Sequence, residues 1–498
     1  MISTSIAGRD GATLRLDLVG MSVDSVDEQL TMRPLPFDYD GKALRIALPV
    51  APPDGAPPRP VVWKIRVVWH GAPRDGLIIQ PNARGRWAAF GDDWPERARD
   101  WIPTVDSPAH KATVSWAVSA PDRLRVVANG ELERRTPGGP GRTVWWYRER
   151  HPIPTYTMVI GATEMTVSEH RPLISGRDTI PMEVWAYPED SAFADSVPFR
   201  RLTDVVAALQ RIVGPFPYEK LAHVESSTRY GGMENSSAIF YAEQMYVSRR
   251  MTEGVVRHET AHQWFGDAVT ERDFHHLWLS EGFASYFDLV AGAALDGDSV
   301  LARGMRADAA SYMRSRDVDR PVLDTAVTEL TQLLDANSYQ KGAWVLHMLR
   351  GYVGDTAFFA GVRDYYRTYR DSSVLSDDFR HVMEGASGKR LDWFFAQWLR
   401  QPGYPRLDVV WSYDSTAREA VVNVAQVQSP AWGVYRLPGL ALDFMAGSRL
   451  LARRVAEVAA APRQMLHIPL DAPPSALRVD PDGALLLTAT VRRGPRTP

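Results

Sequence analysis

The chain has 498 residues, 45% hydrophobic and 23% charged, which at about 150 residues per domain makes room for roughly three domains and excludes both one small fold and a largely disordered chain. Its 57 basic and 60 acidic side chains leave a net charge of −3, so no overall positive field is available to hold nucleic acid or an anionic membrane. Cysteine is absent, which removes disulfides, thiolate nucleophiles and Cys-ligated metals and leaves His and carboxylates as the donors for any metal. Only six of the basic side chains are lysine; the arginine excess is scattered and reads as genome base composition rather than function.

The first residues, MISTSIAGRDGATLRLDL, contain no basic stretch followed by an apolar one, and no apolar run downstream reaches the roughly 20 residues that span a bilayer. The chain as written is therefore expected to be cytoplasmic and without a membrane segment, with export left to a longer N-terminus. Up to about Asp190 the text reads as short strands, among them ALRIAL, VVWKIRVVW, KATVSWAV, RLRVVA and TVWWYRER. The Pro-rich stretch 51–60 and TPGGPGR at 136–142 read as turns or loops. After Pro188 helical periodicity takes over, first where Val197, Leu202, Val205, Val206 and Leu209 recur at threes and fours, a packing face. Strand-like LAHVESS and SAIFYAE precede a mainly helical run from about 249 to 400. Past QPGYP at 401–405 alternation returns in RLDVVWSY, EAVVNVAQV, LALDF and MLHIPL, about the text of a small β-sandwich. The fold class expected is multidomain α+β, with an N-terminal β domain at 1–187, an α-rich catalytic domain at 188–402 and a C-terminal β-sandwich at 403–498.

In RHETAHQWFGDAV, His258, Glu259 and His262 form H-E-x-x-H, which sets two imidazoles at i and i+4 on one helical face. A catalytic zinc needs a third protein ligand, and Glu281, separated from His262 by 18 intervening residues and in a second helical segment, is the natural one. Glu259 lies about 100° round the helix from His258, where it can address the water held in the open coordination position as a general base. Asp288, two turns after Glu281, is a candidate to accept a hydrogen bond from a ligating histidine. His275 and His276 fall between the two helices and read as packing or surface residues.

Upstream, RYGGMENSSAIFY supplies Gly231, Gly232, Met233, Glu234 and Asn235, and NSYQKGAWVLHML supplies Tyr339. Read alone, Glu234 is a turn carboxylate and Tyr339 a packing residue. With H-E-x-x-H and the gap to Glu281, these segments closely resemble the aminopeptidase N family of zinc aminopeptidases, including its leukotriene-hydrolase branch. FGDDWPERARDWIPTVDSPAHKATV at 90–114 and FFAQWLRQPGYP at 394–405 extend the resemblance over most of the chain. It implies a saddle-like N-terminal β domain, a thermolysin-like catalytic domain and one Zn²⁺. It also implies that Glu234 binds the free α-amine of a peptide, that the Gly–Met backbone pairs with that peptide, that Tyr339 donates to the oxyanion, and that a second anchor for the amine comes from the N-terminal domain, where only Asp92 or Asp93 lies near the corresponding stretch and the role is assigned to Asp93. Ser280 departs from the Asn that many relatives carry before the ligand Glu. Expected partners are peptides with a free N-terminal amine, and neither nucleic acid nor a membrane. H-E-x-x-H with Glu281 alone suits a thermolysin-type endopeptidase equally well, and the G-G-M-E-N form leaves lipid epoxide hydrolysis as a weaker alternative.

Overall fold

Strand follows strand from the N-terminus to Ala186, as the alternating text requires. The computed structural model describes residues 2–6, 12–48 and 61–495, so the Pro-rich stretch 51–60 lies outside the described residues. Two compact units are present. One contains the chain up to Gln210, Pro215–Asp273 and Tyr369–Val374; the other contains Arg211–Gly214, Phe274–Thr368 and the chain from Leu375 onward.

In the first unit, Ile2–Ile6, Val61–His70, Ser22–Glu28 and Arg33–Pro34 form one four-stranded sheet, and Arg125–Ala128, Ile160–Thr163, Trp87–Asp92 and Gly76–Pro81 form another. Leu16, Val26, Leu44, Ile46 and Ile65 close one core; Val126, Ala128, Trp145 and Tyr147 close a second. The TPGGPGR turn reverses the chain between Glu131–Pro137 and Arg142–Pro154 with Gly139 and Gly141 at φ 103° and 64°, values that a side chain would resist. The sheet that matters for the site is five-stranded, in the order Thr166–Ser175, Asp178–Ala186, Leu221–Ser226, Ala238–Ala242, Gly232–Met233. Leu221–Ser226 runs parallel to both neighbours and is buried throughout, as a central parallel strand covered on both faces should be. Gly232–Met233, antiparallel to Ala238–Ala242, is left as the outer edge.

The second unit carries the helices Glu281–Asp296, Ser299–Arg314, Gly342–Val353, Ser376–Ser387 and Asp392–Arg400. It ends in a four-stranded sheet (Arg463–Pro469, Glu419–Gln426, Arg406–Asp414, Thr488–Arg493) and a three-stranded one (Arg449–Val458, Leu437–Ala446, Ala476–Val479). Period-two burial of Leu407, Val409 and Trp411 explains why Arg406–Asp414 is a strand with one covered face. The protein is thus multidomain α+β, with an N-terminal β domain, a helical middle domain and a C-terminal β-rich region. Among the described residues no helix is long and apolar enough to cross a membrane.

The few lysines have a use that their scarcity hides. Lys111 Nζ, its ammonium enclosed, donates to the carbonyls of Asp267 and Ala268 at 2.7 and 2.8 Å, and Lys220 Nζ donates to those of Ala128 and Ser237 at 2.9 Å each. Buried Lys341 reaches Gln401 O at 2.9 Å. Burial lowers all three ammonium groups, to about 7, 8 and 7 respectively. A compact ammonium on a slender stem can reach paired carbonyls where a planar guanidinium would need more room.

Candidate active site

The H-E-x-x-H segment forms the helix Glu253–His262, entered from Thr252, whose hydroxyl faces Val255 N. His258 and His262 lie one turn apart, their rings edge to face, with their Nε2 atoms 3.2 Å from each other. His262 Nδ1 lies 3.1 Å from the carbonyl of Phe265, and because a carbonyl only accepts, Nδ1 carries the proton and Nε2 presents its lone pair. Two imidazole nitrogens facing one point at this distance are a donor set suited to a borderline-soft cation such as zinc.

The edge strand crosses directly over Glu259. A Cβ built on Gly232 would sit 2.1 Å from Glu259 Oε1 and 2.3 Å from its Cδ, so glycine is required there by the approach of backbone to carboxylate. Just past the strand, Glu234 turns its carboxylate toward the same place: Glu234, Glu259 and His262 each have a ligand-type atom within 4.8 Å of the others. Both carboxylates are buried. Behind them, Tyr241 faces Gly232 in the strand register, and its hydroxyl lies 2.8 Å from His223 Nδ1. Burial lowers His223 to about 3 and, with Glu259 nearby, raises Tyr241, so a neutral pair lines this wall, the phenol donating to the imidazole.

In the second unit, Glu281 opens the helix Glu281–Asp296, and its Oε1 accepts a 2.6 Å hydrogen bond from the Tyr339 hydroxyl. Tyr339 lies in a single π-helical turn, Asn337–Lys341, that runs into the helix Gly342–Val353. Such turns cost regular hydrogen bonding and concentrate at functional positions. The approach is made possible by two glycines: a Cβ on Gly282 would meet Gly342 Cα at 2.8 Å, and one on Gly342 would meet Gly282 Cα at 2.9 Å. Asp288 stands half-buried two turns along the helix from Glu281. His275 and His276 are engaged structurally, with Val327 O at 2.9 Å and Ser376 Oγ at 2.8 Å.

One residue named from the sequence points elsewhere. Asp93 is fully buried and its Oδ1 accepts from Trp101 Nε1 at 2.9 Å; its neighbour Asp92 is the one that touches the approach to the glycine motif, accepting from Arg229 N at 3.2 Å and from Arg97 at 2.9 Å. Consecutive residues at a strand end face opposite ways, and the Asp-Asp pair hides which faces inward. Asn235 is also fully buried, and neither atom of its amide has a hydrogen-bond partner among the described residues. The residues that sequence reasoning passed over are Gln263, buried against this loop, and the pair Gly282 and Gly342, whose signal is a contact between distant segments.

A helix with two facing imidazoles thus lies beneath the edge of a sheet, with a buried carboxylate at the end of that edge. The chain belongs to peptidase family M1: the Peptidase family M1 domain matches residues 204–398, a stretch that includes His258, His262, Glu281 and Tyr339, and the Peptidase M1 N-terminal domain matches 79–157. Probable aminopeptidase 2 of Sulfurisphaera tokodaii is 30% identical over 322 residues, 62% of this chain and 40% of that one. The chain spans less than half the length of the curated relatives it matches. An M1 zinc metallopeptidase from Deinococcus radiodurans superposes with a TM-score of 0.68 at 24% identity, covering 81% of this chain and 89% of that one. Aminopeptidase A of Legionella pneumophila, in complex with aspartic acid, gives 0.79 at 18% identity over 96% of this chain and 55% of that one. At these identities the likeness is one of fold.

Proposed function

We propose that this protein is a zinc-dependent aminopeptidase that removes single N-terminal residues from peptides, with His258, His262 and Glu281 as the metal ligands. The observation that carries the reading is the convergence of Glu234, Glu259 and His262 within 4.8 Å, beside a free sheet edge. When bound, zinc lowers the pKa of water toward 7 and polarises a carbonyl. Glu259 takes the proton from the attacking water and returns it to the leaving amine. Gly231–Met233 offer backbone groups at the edge to an extended peptide, which adds as a further strand. Glu234 receives the α-ammonium of the first residue; a buried carboxylate at that point favours a cation and leaves one residue ahead of the scissile bond. Tyr339 donates from its hydroxyl to the oxyanion of the tetrahedral intermediate, exchanging the hydrogen bond it makes to Glu281. Asp288 orients a ligating histidine. Asp93 receives no role, since its carboxyl is buried and held by Trp101.

A thermolysin-type endopeptidase needs the same metal ligands but has no use for a carboxylate at Glu234. The test is a set of aminoacyl 4-nitroanilides offered free and N-acetylated. Cleavage of the free-amine compounds alone supports the aminopeptidase, and comparable cleavage of the acetylated ones overturns it.

A further inference from the structure

We propose that Gln263 is a positioning residue that sets the reach of the amine site from the metal helix; this rests on the reading of Glu234 as the amine anchor. Gln263 follows His262 directly and is fully buried. Its Nε2 donates to the carbonyl oxygen of Glu234 and to Asp267 Oδ2, both at 2.8 Å, while its Oε1 accepts from Ser237 N, also at 2.8 Å. One side-chain amide thus satisfies a donor and an acceptor on the backbone of the turn that carries Glu234, with its own capacity for these contacts met.

The turn needs such a hold. Residues 234–237 have no ladder of their own, and Ser237 adopts φ 61°, a left-handed conformation that a non-glycine residue keeps only when its surroundings enforce it. Its far side is fixed to the turn after Arg125–Ala128, where Asn129 Nδ2 donates to Ser236 O at 2.8 Å and Gly130 N to Ser237 Oγ at 2.7 Å, and Lys220 Nζ bridges Ser237 O and Ala128 O at 2.9 Å each. Those bonds place the turn against the β domain. Gln263 supplies the link to the helix, and Asp267, whose backbone N donates to His262 O at 3.1 Å, holds Gln263 from the other end. Beside the contact of Asp267 with Ser236, the amide of Gln263 is thus what ties the carbonyl of Glu234 itself to the helix that carries Glu259 and His262. Loss of that amide should leave Glu259 and the histidines in place and let the amine anchor drift.

An interaction with the α-ammonium is made in both the ground state and the transition state, so its loss raises KM and spares kcat. The experiment compares the zinc-loaded wild-type protein with Gln263→Met, which keeps volume without hydrogen bonds, and with Gln263→Glu, which keeps the acceptor for Ser237 N and loses the donors to Glu234 O and Asp267. If either variant fails to fold, the other carries the test. The expected result is a KM for free aminoacyl 4-nitroanilides raised about tenfold with kcat within about threefold and an unchanged zinc content. A fall in kcat at unchanged KM, or no kinetic change in a folded variant, overturns the proposal. Failure of the amine-anchor reading shows separately, in the wild-type protein, as indifference to N-acetylation.

Discussion

Replacing Gly232 by alanine is the most local perturbation of the site, because the new atom has a defined neighbour. Its Cβ would lie 2.1 Å from Glu259 Oε1, 2.3 Å from Cδ and 2.6 Å from Cγ. Non-bonded carbon contacts settle near about 3.5 Å, so the edge strand or the carboxylate must retreat by about 1 Å. Misplacement of a catalytic group by that amount costs about 10² in rate. The neighbouring Gly231 is a built-in control: a Cβ there meets nothing nearer than Met245 Sδ at 3.6 Å, an ordinary contact. Steady-state kinetics on a free aminoacyl 4-nitroanilide, with zinc content measured on the same samples, should give a kcat about 10²-fold lower for Gly232→Ala and near wild type for Gly231→Ala, both fully metallated. A Gly232→Ala protein within about threefold of wild type, or equal damage from both substitutions, refutes the reasoning that this glycine exists to let Glu259 stand beneath the substrate strand.

Other outcomes follow from the same geometry. Tyr339→Phe should lower kcat by about 10²–10³ with little change in KM, as loss of an oxyanion donor does; near-wild-type turnover contradicts the assignment. Gly282→Ala would put a Cβ 2.8 Å from Gly342 Cα and should destabilise the fold by about 1–3 kcal/mol while weakening zinc retention, measured by thermal unfolding and chelator competition; a variant as stable and as metal-tight as wild type counts against it. Burial holds Lys341 at about 7, against 10.5 in the unfolded chain, so between those values the unfolded chain binds a proton that the native one does not. The stability of wild type relative to Lys341→Met should then rise with pH through that window, on the order of 1 kcal/mol per unit, and be lost as pH falls toward 7. A flat difference in denaturant unfolding between pH 7.5 and 9.5 contradicts the burial of that ammonium.

How much of this was legible in the sequence depends on whether a constraint is local. H-E-x-x-H is readable because one metal and one helical turn fix the spacing of His258 and His262, and the strands Leu221–Ser226 and Arg406–Asp414 announce themselves by run and by alternation. Glu234 became visible only through its motif, since a carboxylate in a turn carries no signal of what it faces. The reason for Gly232, the Gly282–Gly342 approach and the triple hydrogen bond of Gln263 are contacts between segments far apart in the chain, and nothing in the flanking residues encodes them. Asp93 misled because an Asp-Asp pair leaves open which carboxylate faces Trp101 and which faces Arg229. The lysines misled in the other direction: their scarcity reads as composition, yet Lys111 and Lys220 are placed where an ammonium ties two carbonyls together, and Lys341 where it meets one.

The central claim is that a single zinc on this chain cleaves peptides only when their first amine is free. Stripping the metal with a chelator and restoring it by titration with zinc, while following paired free and N-acetylated aminoacyl 4-nitroanilides, tests it most directly. The account predicts that activity returns in proportion to zinc up to one equivalent per chain and is confined to the free-amine substrate. Full activity without metal, or zinc-dependent cleavage that ignores the acetyl group, would contradict it.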